Sequence, residues 1–299
     1  MTEIGRLLTA MVTPFTEGGA VDYKQAQNLA LALLRAGSDG VIVAGTTGEV
    51  PTLNHEEKMG LFKAVKEAVG SSGIVIAGTG NYNTAESVEL GREAEAVGVD
   101  GLLMTVPYYS KPTQEGLFRH FETLAKATSL PCIMYNIPGR TGVNMTAETT
   151  ARLSRVPNIV GVKEASGNLE QIGQVMNLSR EGFRVWSGND SDTLPILSLG
   201  GYGVICVVSH LVGLQMREMI EKYLAGQVAE ASTIHRRLLP LMMTLMTAAS
   251  NPIPIKYALR QLGWAVGGLR LPLVDPDEAA ASKIMTEVRR HRIDLAVPA

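Results

Sequence analysis

The fold class is decided by residues 40–79, with the sequence GVIVAGTTGEVPTLNHEEKMGLFKAVKEAVGSSGIVIAGT. Two short apolar runs, GVIVAG (40–45) and IVIAGT (74–79), have the length and the β-branched residues of buried strands. Between them, HEEKMGLFKAVKEAV (55–69) repeats its apolar residues at three- and four-residue spacing, as an amphipathic helix does. The stretch therefore predicts a β–α–β unit with parallel strands.

The same unit recurs along the chain. Six further strands are predicted at LLTAMVT (7–13), DGLLMTV (100–106), LPCIMYN (130–136), NIVGVKE (158–164), FRVWSG (183–188) and GVICVVS (203–209). Amphipathic segments separate the runs, and Gly37, Gly70 and Gly98 stand where helices are expected to end. Eight strand–helix repeats predict a (β/α)8 TIM barrel, in preference to an open doubly wound sheet with fewer strands.

The strand pattern stops at Leu211. Helices are predicted from there on, at QMREMIEKYLAGQ (215–227), EASTIHRRLLPLMMTLMTA (230–248) and DEAAASKIMTEVRRHR (277–292). We therefore expect residues 1–225 to form a catalytic barrel and residues 226–299 a C-terminal helical region packed on it.

Composition excludes several classes of protein. The 299 residues are 45% hydrophobic and 19% charged, as in soluble globular proteins. The net charge of −2 argues against nucleic acid or an anionic membrane as a partner. Cys132 and Cys206 lie in apolar runs and are predicted to be buried hydrophobic residues. No targeting segment and no apolar run of about 18 residues is found, so a cytoplasmic location is expected.

Chemistry in such a barrel takes place at the carboxyl ends of the strands. The residues expected at that end include Thr46, Thr47, Tyr109, Tyr135, Arg140, Lys163, Gly188 and Ile205. Metal-ligand spacing is absent, since Asp190 and Asp192 are typical of a helix start, as is His55. Neither a dinucleotide fingerprint nor a phosphate loop is present, so we expect neither a metal nor an organic cofactor.

Lys163 closes the apolar run that begins at Ile159, although an unpaired ammonium taken out of water is unfavourable by several kcal/mol. A lysine in this position favours imine chemistry, in which the neutral amine condenses with a ketone and the protonated imine accepts electrons from the adjacent carbon. Burial lowers the pKa of a lysine from about 10.4 and so provides the neutral amine. The alternative is a structural lysine whose ammonium reaches the rim.

The companions of this lysine fit the same chemistry. Tyr135, on the neighbouring strand end, can carry protons if Thr47 or Tyr109 relays them. The hydroxyls and backbone N–H groups of Thr46 and Thr47 can hold one carboxylate. Arg140 can hold a second one with two parallel hydrogen bonds. Together these residues predict a site that joins two small acids.

An ordered set of motifs resembles the dihydrodipicolinate synthase branch of the pyruvate-dependent class I aldolase family. The motifs are GTTGE (45–49), VPYYSKP (106–112), YNIPGRTGV (135–143), GVKEASG (161–167), SGND (187–190) and SNPIPIK (250–256). The resemblance runs from MVTPF near the start to GGLRLPL near the end. It implies a (β/α)8 barrel with a C-terminal helical region, assembled as a homotetramer of two tight dimers.

The resemblance also implies an activity, the condensation of pyruvate with aspartate semialdehyde to 4-hydroxy-tetrahydrodipicolinate on the way to diaminopimelate and lysine. Lys163 would form the Schiff base, and Tyr135 would be the general acid/base. Thr47 would relay protons, together with Tyr109 from across the dimer interface. Thr46 and Thr47 would hold the pyruvate carboxylate and Arg140 that of the aldehyde, while the backbone at Gly188 and Ile205 would shape the pocket.

Two alternatives stay open at this point. N-acetylneuraminate lyase and the sugar-acid aldolases share the lysine and the tyrosine, but Arg140 and the two threonines of GTTGE favour the synthase. An inactive barrel that binds a small carboxylate is the alternative from another class, although every proposed catalytic position holds a functional residue.

Regulation is where the chain departs from the family. The positions that match the family's lysine-binding site are Val50, His55, Lys58, Tyr82, Glu86 and Tyr108. Lysine-inhibited members have a histidine where this chain has Lys58, and an asparagine where it has Tyr82. An ammonium at position 58 repels a cationic ligand, so we expect feedback inhibition by lysine to be weak or absent.

Overall fold

The computed structural model describes residues 3–297. Within this range eight parallel strands form a closed barrel in chain order. The strands are β1 (Leu7–Ala10), β2 (Gly40–Val43), β3 (Ile74–Gly78), β4 (Gly101–Thr105), β5 (Cys132–Asn136), β6 (Ile159–Glu164), β7 (Arg184–Ser187) and β8 (Gly203–Cys206). The predicted barrel is confirmed, and the open sheet is excluded.

The helices follow the strands and continue after β8. They are α1 (Tyr23–Arg35), α2 (His55–Val69), α3 (Thr84–Val97), α4 (Gln114–Lys126), α5 (Pro138–Thr141), α6 (Ala147–Leu153), α7 (Leu169–Leu178), α8 (Thr193–Ser198), α9 (Ser209–Leu224), α10 (Val228–Thr247), α11 (Ile253–Gln261) and α12 (Glu278–Val288). Across the described part of the chain, none of them is both long and apolar enough to span a membrane.

All eight predicted strands exist, and each is shorter than the apolar run that predicted it. In β2 the ladder ends at Val43 because Ala44 has φ 54°, a left-handed backbone that no strand accommodates. The predicted helix start at His55 is also confirmed, with Asn54 as the N-cap and Glu57 completing a capping box. Cys132 and Cys206 are buried free thiols, as expected.

Helix α11 was not among the predicted helices. Its start carries Pro252 and Pro254, and proline is normally a reason to end a helix rather than extend it. In the structure both prolines lie at the first turn, where a missing N–H removes no intrahelical hydrogen bond. The helix therefore begins within the SNPIPIK motif and places Lys256 on its buried side.

Backbone contacts divide the chain into two compact units. Unit 1 combines the residues up to Arg6 with Ile76–Ile205, and unit 2 combines Leu7–Val75 with the chain from Cys206 onward. Trp186 is among the largest fully buried side chains of unit 1, and Phe62 among those of unit 2. The boundary predicted between residues 225 and 226 stays a prediction.

Candidate active site

Lys163 and Tyr135 lie side by side in unit 1. They are direct partners in the register of β6 and β5. The Nζ atom of Lys163 lies 4.2 Å from the centroid of the Tyr135 ring, and the Lys163 side chain is buried, with the residue 6% exposed. An ammonium over an aromatic face is stabilised by the ring quadrupole. The predicted nucleophile and the predicted proton carrier are therefore in contact.

The Tyr135 hydroxyl is held in its neutral form. Burial raises the pKa of Tyr135 well above its usual value of about 10, and the charge of Arg140 opposes this shift. Asp190 and Glu164 raise the pKa further. Arg140 lies on the short helix α5 and is exposed. At neutral pH the phenol is therefore protonated, as a general acid has to be.

Gly188 lies against Lys163 and leaves no room for a side chain. A Cβ atom at Gly188 would lie 2.8 Å from the Cβ of Ala165 and 3.2 Å from the Cγ of Lys163. Its backbone N–H donates to the Glu164 carbonyl at 2.7 Å. Ile205 follows Val204, the β8 partner of Ser187, and is buried. Gly188 thus keeps the backbone close to the lysine stem.

A polar network around buried Glu164, the residue after Lys163, was not predicted from the sequence. Both carboxylate oxygens of Glu164 accept hydrogen bonds from Asn136 Nδ2, at 3.2 and 3.1 Å, and Ser166 N–H donates to Oε1 at 2.8 Å. Asn136 Nδ2 also donates to Asn144, which is hydrogen-bonded to Gln171. Burial raises the pKa of Glu164, and the bonds from Asn136 and Ser166 oppose this. The network joins the ends of β5 and β6, the strands that carry Tyr135 and Lys163.

The remaining tyrosines of unit 1 lie on loops. Tyr109 has φ 69° and is 92% exposed, so its ring projects from the protomer. Tyr108 contacts Tyr82 edge to face, with ring centroids 5.1 Å apart. Burial raises the pKa of Tyr108, with smaller contributions from Tyr82 and Glu86. Three of the predicted regulatory positions, Tyr82, Glu86 and Tyr108, therefore share one surface.

In unit 2, Thr46 and Thr47 belong to a tight turn, the GTTGE turn (residues 45–49). Gly48 N–H donates to the Gly45 carbonyl at 3.0 Å, and Glu49 N–H to the Thr46 carbonyl at 3.1 Å. The Thr47 hydroxyl accepts a hydrogen bond from Asn251 Nδ2 at 3.0 Å. Since Asn251 occupies an acceptor site of Thr47, the hydroxyl keeps its own hydrogen for donation.

Glu49 forms a buried ion pair that sequence reasoning also missed. Its Oε1 atom lies 2.6 Å from Lys256 Nζ, and the two side chains are 0% and 1% exposed. Burial lowers the pKa of Lys256 to about 8, and the charge and hydrogen bond of Glu49 oppose this shift. Each partner is a charged residue inside an otherwise apolar or small-residue motif, GTTGE or SNPIPIK, but neither motif indicates that the two residues meet.

The other predicted regulatory positions also lie in unit 2. Val50 begins a short 3-10 helix and is partly exposed. His55 is exposed at the first position of α2, and Lys58 is partly exposed one turn later.

The chemistry available to these residues is that of an amine. A buried lysine next to a protonated phenol can attack a carbonyl and have the oxygen protonated as it leaves. Among residues 3–297, no three His, Cys, Asp or Glu side chains cluster in a way that could hold a metal ion.

Comparison with known proteins gives a consistent result. The model of the dihydrodipicolinate synthetase family matches residues 3–291. A relative from Dehalococcoides mccartyi, 4-hydroxy-tetrahydrodipicolinate synthase, is 58% identical over 99% of this chain and 100% of its own length. The crystal structure of dihydrodipicolinate synthase from Cyanidioschyzon merolae with lysine bound has a TM-score of 0.94 at 47% identity, covering 96% of this chain and 98% of that one.

A further structure, the chloride-inhibited dihydrodipicolinate synthase from Acinetobacter baumannii complexed with pyruvate, has a TM-score of 0.93 at 35% identity. The match covers 96% of this chain and 99% of that one. With the motifs, the barrel and the lysine–tyrosine pair in agreement, this chain belongs to the dihydrodipicolinate synthetase family.

Proposed function

We propose that this chain is a lyase of the class I aldolase type, which condenses pyruvate with L-aspartate 4-semialdehyde to 4-hydroxy-tetrahydrodipicolinate. This reaction is the first committed step of diaminopimelate and lysine biosynthesis. The observation that carries the proposal is the contact of buried Lys163 with the Tyr135 ring at the carboxyl ends of β6 and β5. The relative named for this reaction, at 58% identity, supports it.

Lys163 acts as the nucleophile. Its neutral amine attacks the keto carbon of pyruvate, the carbonyl oxygen takes a proton, and the resulting hydroxyl leaves as water after a second protonation. The protonated imine then draws electrons from the methyl carbon, which loses a proton to give an enamine. The lysine thus supplies the electron sink that an added cofactor would otherwise provide.

Tyr135 handles the protons of these steps. Its phenol is neutral and buried, so it can donate to the leaving oxygen and receive a proton again. Thr47 passes protons onward, since its hydroxyl retains a hydrogen while accepting from Asn251. Tyr109 completes the relay from a neighbouring protomer, a role supported by its 92% exposure on a loop.

Two carboxylates orient the substrates. Thr46 and Thr47 hold that of pyruvate, and Arg140, exposed on α5, holds that of the semialdehyde. Gly188 and Ile205 shape the pocket. The enamine carbon bonds to the aldehyde carbon, whose oxygen takes a proton. The amine of the adduct then attacks the imine carbon, which closes the ring and releases Lys163.

The protein works in the cytoplasm as a homotetramer, a dimer of dimers, in which residues 1–225 form the catalytic barrel and residues 226–299 the helical region. The exposed Tyr109 supports an assembled state, because a relay that uses it needs a second protomer. Analytical ultracentrifugation of active enzyme tests this, and full activity in a monomer would contradict the role of Tyr109.

The deciding experiment is the mass of the intact chain after treatment with pyruvate and borohydride, followed by peptide mapping. A reduced pyruvyl adduct on Lys163 is expected. Turnover is then measured with aspartate semialdehyde and with sugar-derived aldehydes, and only the first should react efficiently. An absence of the adduct on Lys163 would overturn both the mechanism and the activity.

Feedback inhibition by lysine is weak or absent in this protein. Lys58 is partly exposed on α2, where its charge repels a cationic ligand, although a charge at a rim is partly screened by salt. Tyr82 packs against Tyr108 and replaces a smaller amide side chain of the inhibited members. Half-inhibition by lysine below the millimolar range would contradict this proposal.

A further inference from the structure

We propose that Glu49, Lys256 and Arg270 form a positioning device for the GTTGE turn, which sets the affinity of the enzyme for the carboxylate of its 2-keto acid substrate. The inference rests on the proposed function, because it takes Thr46 and Thr47 as the groups that hold this carboxylate. All residues of the device and of the turn belong to unit 2.

The backbone of the turn is held in an unusual conformation. Ala44, directly before the turn, and Glu49, its last residue, have φ 54° and 57°. Residues other than glycine are uncommon in this left-handed region, and they persist where the surrounding structure imposes it. Some contact outside the turn must therefore hold it at this geometry.

Glu49 supplies one such contact through both carboxylate oxygens. Its Oε1 accepts from Lys256 Nζ on α11 at 2.6 Å, and its Oε2 accepts from the backbone N–H of Arg270 at 3.0 Å. The Lys256 ammonium also lies 4.0 Å from the centroid of the Phe15 ring. One end of the turn is thus fixed to α11 and to the segment after it.

Arg270 anchors this segment in turn. Its guanidinium donates to the carbonyls of Gly19 and Thr52, at 3.0 and 2.8 Å, and pairs with Glu57 on α2. Gly267 approaches Phe15 so closely that a Cβ atom there would lie 1.9 Å from the Phe15 carbonyl oxygen. Because Gly267 and Arg270 fix the segment that donates to Glu49, a small shift of Glu49 is resisted.

The buried pair is better explained by position than by stability. Replacing a buried ion pair by apolar groups of similar volume is often neutral or stabilising, since the charges no longer have to leave water. If the Glu49–Lys256 pair serves to position the turn, an enzyme with two neutral residues in their place should fold well but bind the keto acid less tightly. The chemical step should then be affected less than the affinity, because Lys163 is not part of the device and the turn takes part in this step only through the proton relay of Thr47.

The test uses the double variant Glu49→Gln/Lys256→Met in the full-length enzyme. We expect an unchanged circular dichroism spectrum and thermal midpoint, and a KM for pyruvate at least about tenfold higher, which corresponds to about 1.4 kcal/mol. The kcat should change by a smaller factor than the KM for pyruvate, and the KM for the aldehyde by less than about threefold. Borohydride should still label Lys163 at saturating pyruvate.

The matched control is Glu287→Gln, which removes another buried carboxylate of unit 2, one paired with His291 on α12. It should leave the KM for pyruvate unchanged. An unaltered KM in the folded double variant would overturn the proposal, as would an equal loss in KM and kcat for both substrates. A double variant that fails to fold would also overturn it, because the pair would then serve stability.

Failure of this inference is distinct from failure of the proposed function. If the wild-type chain gives no borohydride adduct on Lys163, the proposed function fails and the inference with it. If the wild-type chain gives the adduct and the double variant reaches half-labelling at the same pyruvate concentration, only the positioning device is refuted.

Discussion

Among residues 3–297, the two buried lysines, Lys163 and Lys256, differ in a contact that their ammonium groups make. Lys163, in unit 1, is the penultimate residue of β6, and its Nζ atom lies 4.2 Å from the centroid of the Tyr135 ring. Lys256, in unit 2, is 1% exposed and donates to the Glu49 carboxylate at 2.6 Å. Both side chains are buried and both lie near an aromatic ring, so neither burial nor ring contact separates them.

Lys256 has a carboxylate at hydrogen-bonding distance, and Lys163 has the ring of a phenol beside it. A charge-assisted hydrogen bond stabilises an ammonium more strongly than a ring face does, so Glu49 favours the protonated form of Lys256. The ring beside Lys163 belongs to the predicted proton carrier, which suits a lysine whose attack requires proton transfer. Burial alone therefore does not identify a nucleophilic lysine, whereas contact with a proton carrier supports that role.

The strongest test of the different roles of the two lysines is Lys163→Ala. We expect kcat to fall by at least about 10⁴-fold and the borohydride adduct to disappear, because no other amine takes over the attack. The fold should be retained, as judged by circular dichroism, and Lys126→Ala on the exposed face of α4 is the control that keeps activity. An adduct that persists on Lys256 would show that the two lysines were assigned the wrong way round.

The second test compares Lys256→Met with Lys163→Met. The first change leaves the Glu49 carboxylate buried without its cation and should lower the free energy of unfolding by about 3–5 kcal/mol. The second places a thioether of similar length beside the Tyr135 ring, a contact that sulfur also makes favourably, and should lower it by a smaller amount. Urea unfolding gives both values, and equal losses would remove the distinction between the lysines.

The nucleophile was predictable from the sequence, and the ion pair was not. Lys163 stands at the end of a local apolar run, and the barrel rule alone brings it next to Tyr135 on the adjacent strand. Glu49 and Lys256 are separated by 207 positions, and Asn251 and Thr47 by 204, so only the folded chain brings each pair together. Periodicity carries no information about such contacts.

The strand ends show a second limit of the same kind. Apolar residues continue past Val43 into the GTTGE turn, so the hydrophobic pattern extended β2 too far. What ends the strand is the left-handed backbone of Ala44, which no preference of alanine indicates. The network of Glu164, Asn136 and Asn144 was not predicted for a related reason. Polar side chains are expected at the surface, and only the folded chain shows that these are enclosed and hydrogen-bonded to one another.

The third test separates the ring of Tyr135 from its hydroxyl. Tyr135→Phe keeps the aromatic face under Lys163 and removes the proton carrier, so kcat should fall by about 10²- to 10³-fold while Lys163 is still labelled. Tyr257→Phe, on α11 with Lys256, is the matched control and should leave kcat unchanged. A loss below about threefold in Tyr135→Phe would mean that the ring, and not the hydroxyl, is what Lys163 requires.

The smallest expected effect concerns the pH dependence of stability. Burial lowers the pKa of Lys256 from 10.5 to about 8, against the charge of Glu49 and with smaller contributions from Arg260 and Arg270. Above pH 8 the folded state loses this proton while the unfolded state keeps it until about 10.5, so the unfolded state binds more protons and stability rises with pH.

The measurable quantity is the difference in unfolding free energy between the wild type and Glu49→Gln/Lys256→Met, because titrations common to both, such as that of Tyr135, cancel in it. From pH 7 to pH 10 this difference should move in favour of the wild type by roughly 2–3 kcal/mol. A difference that stays constant over this range would mean that Glu49 holds the proton on Lys256 throughout. Lys256 would then stay an ammonium over this whole pH range, whereas Lys163 has to lose its proton before it attacks pyruvate.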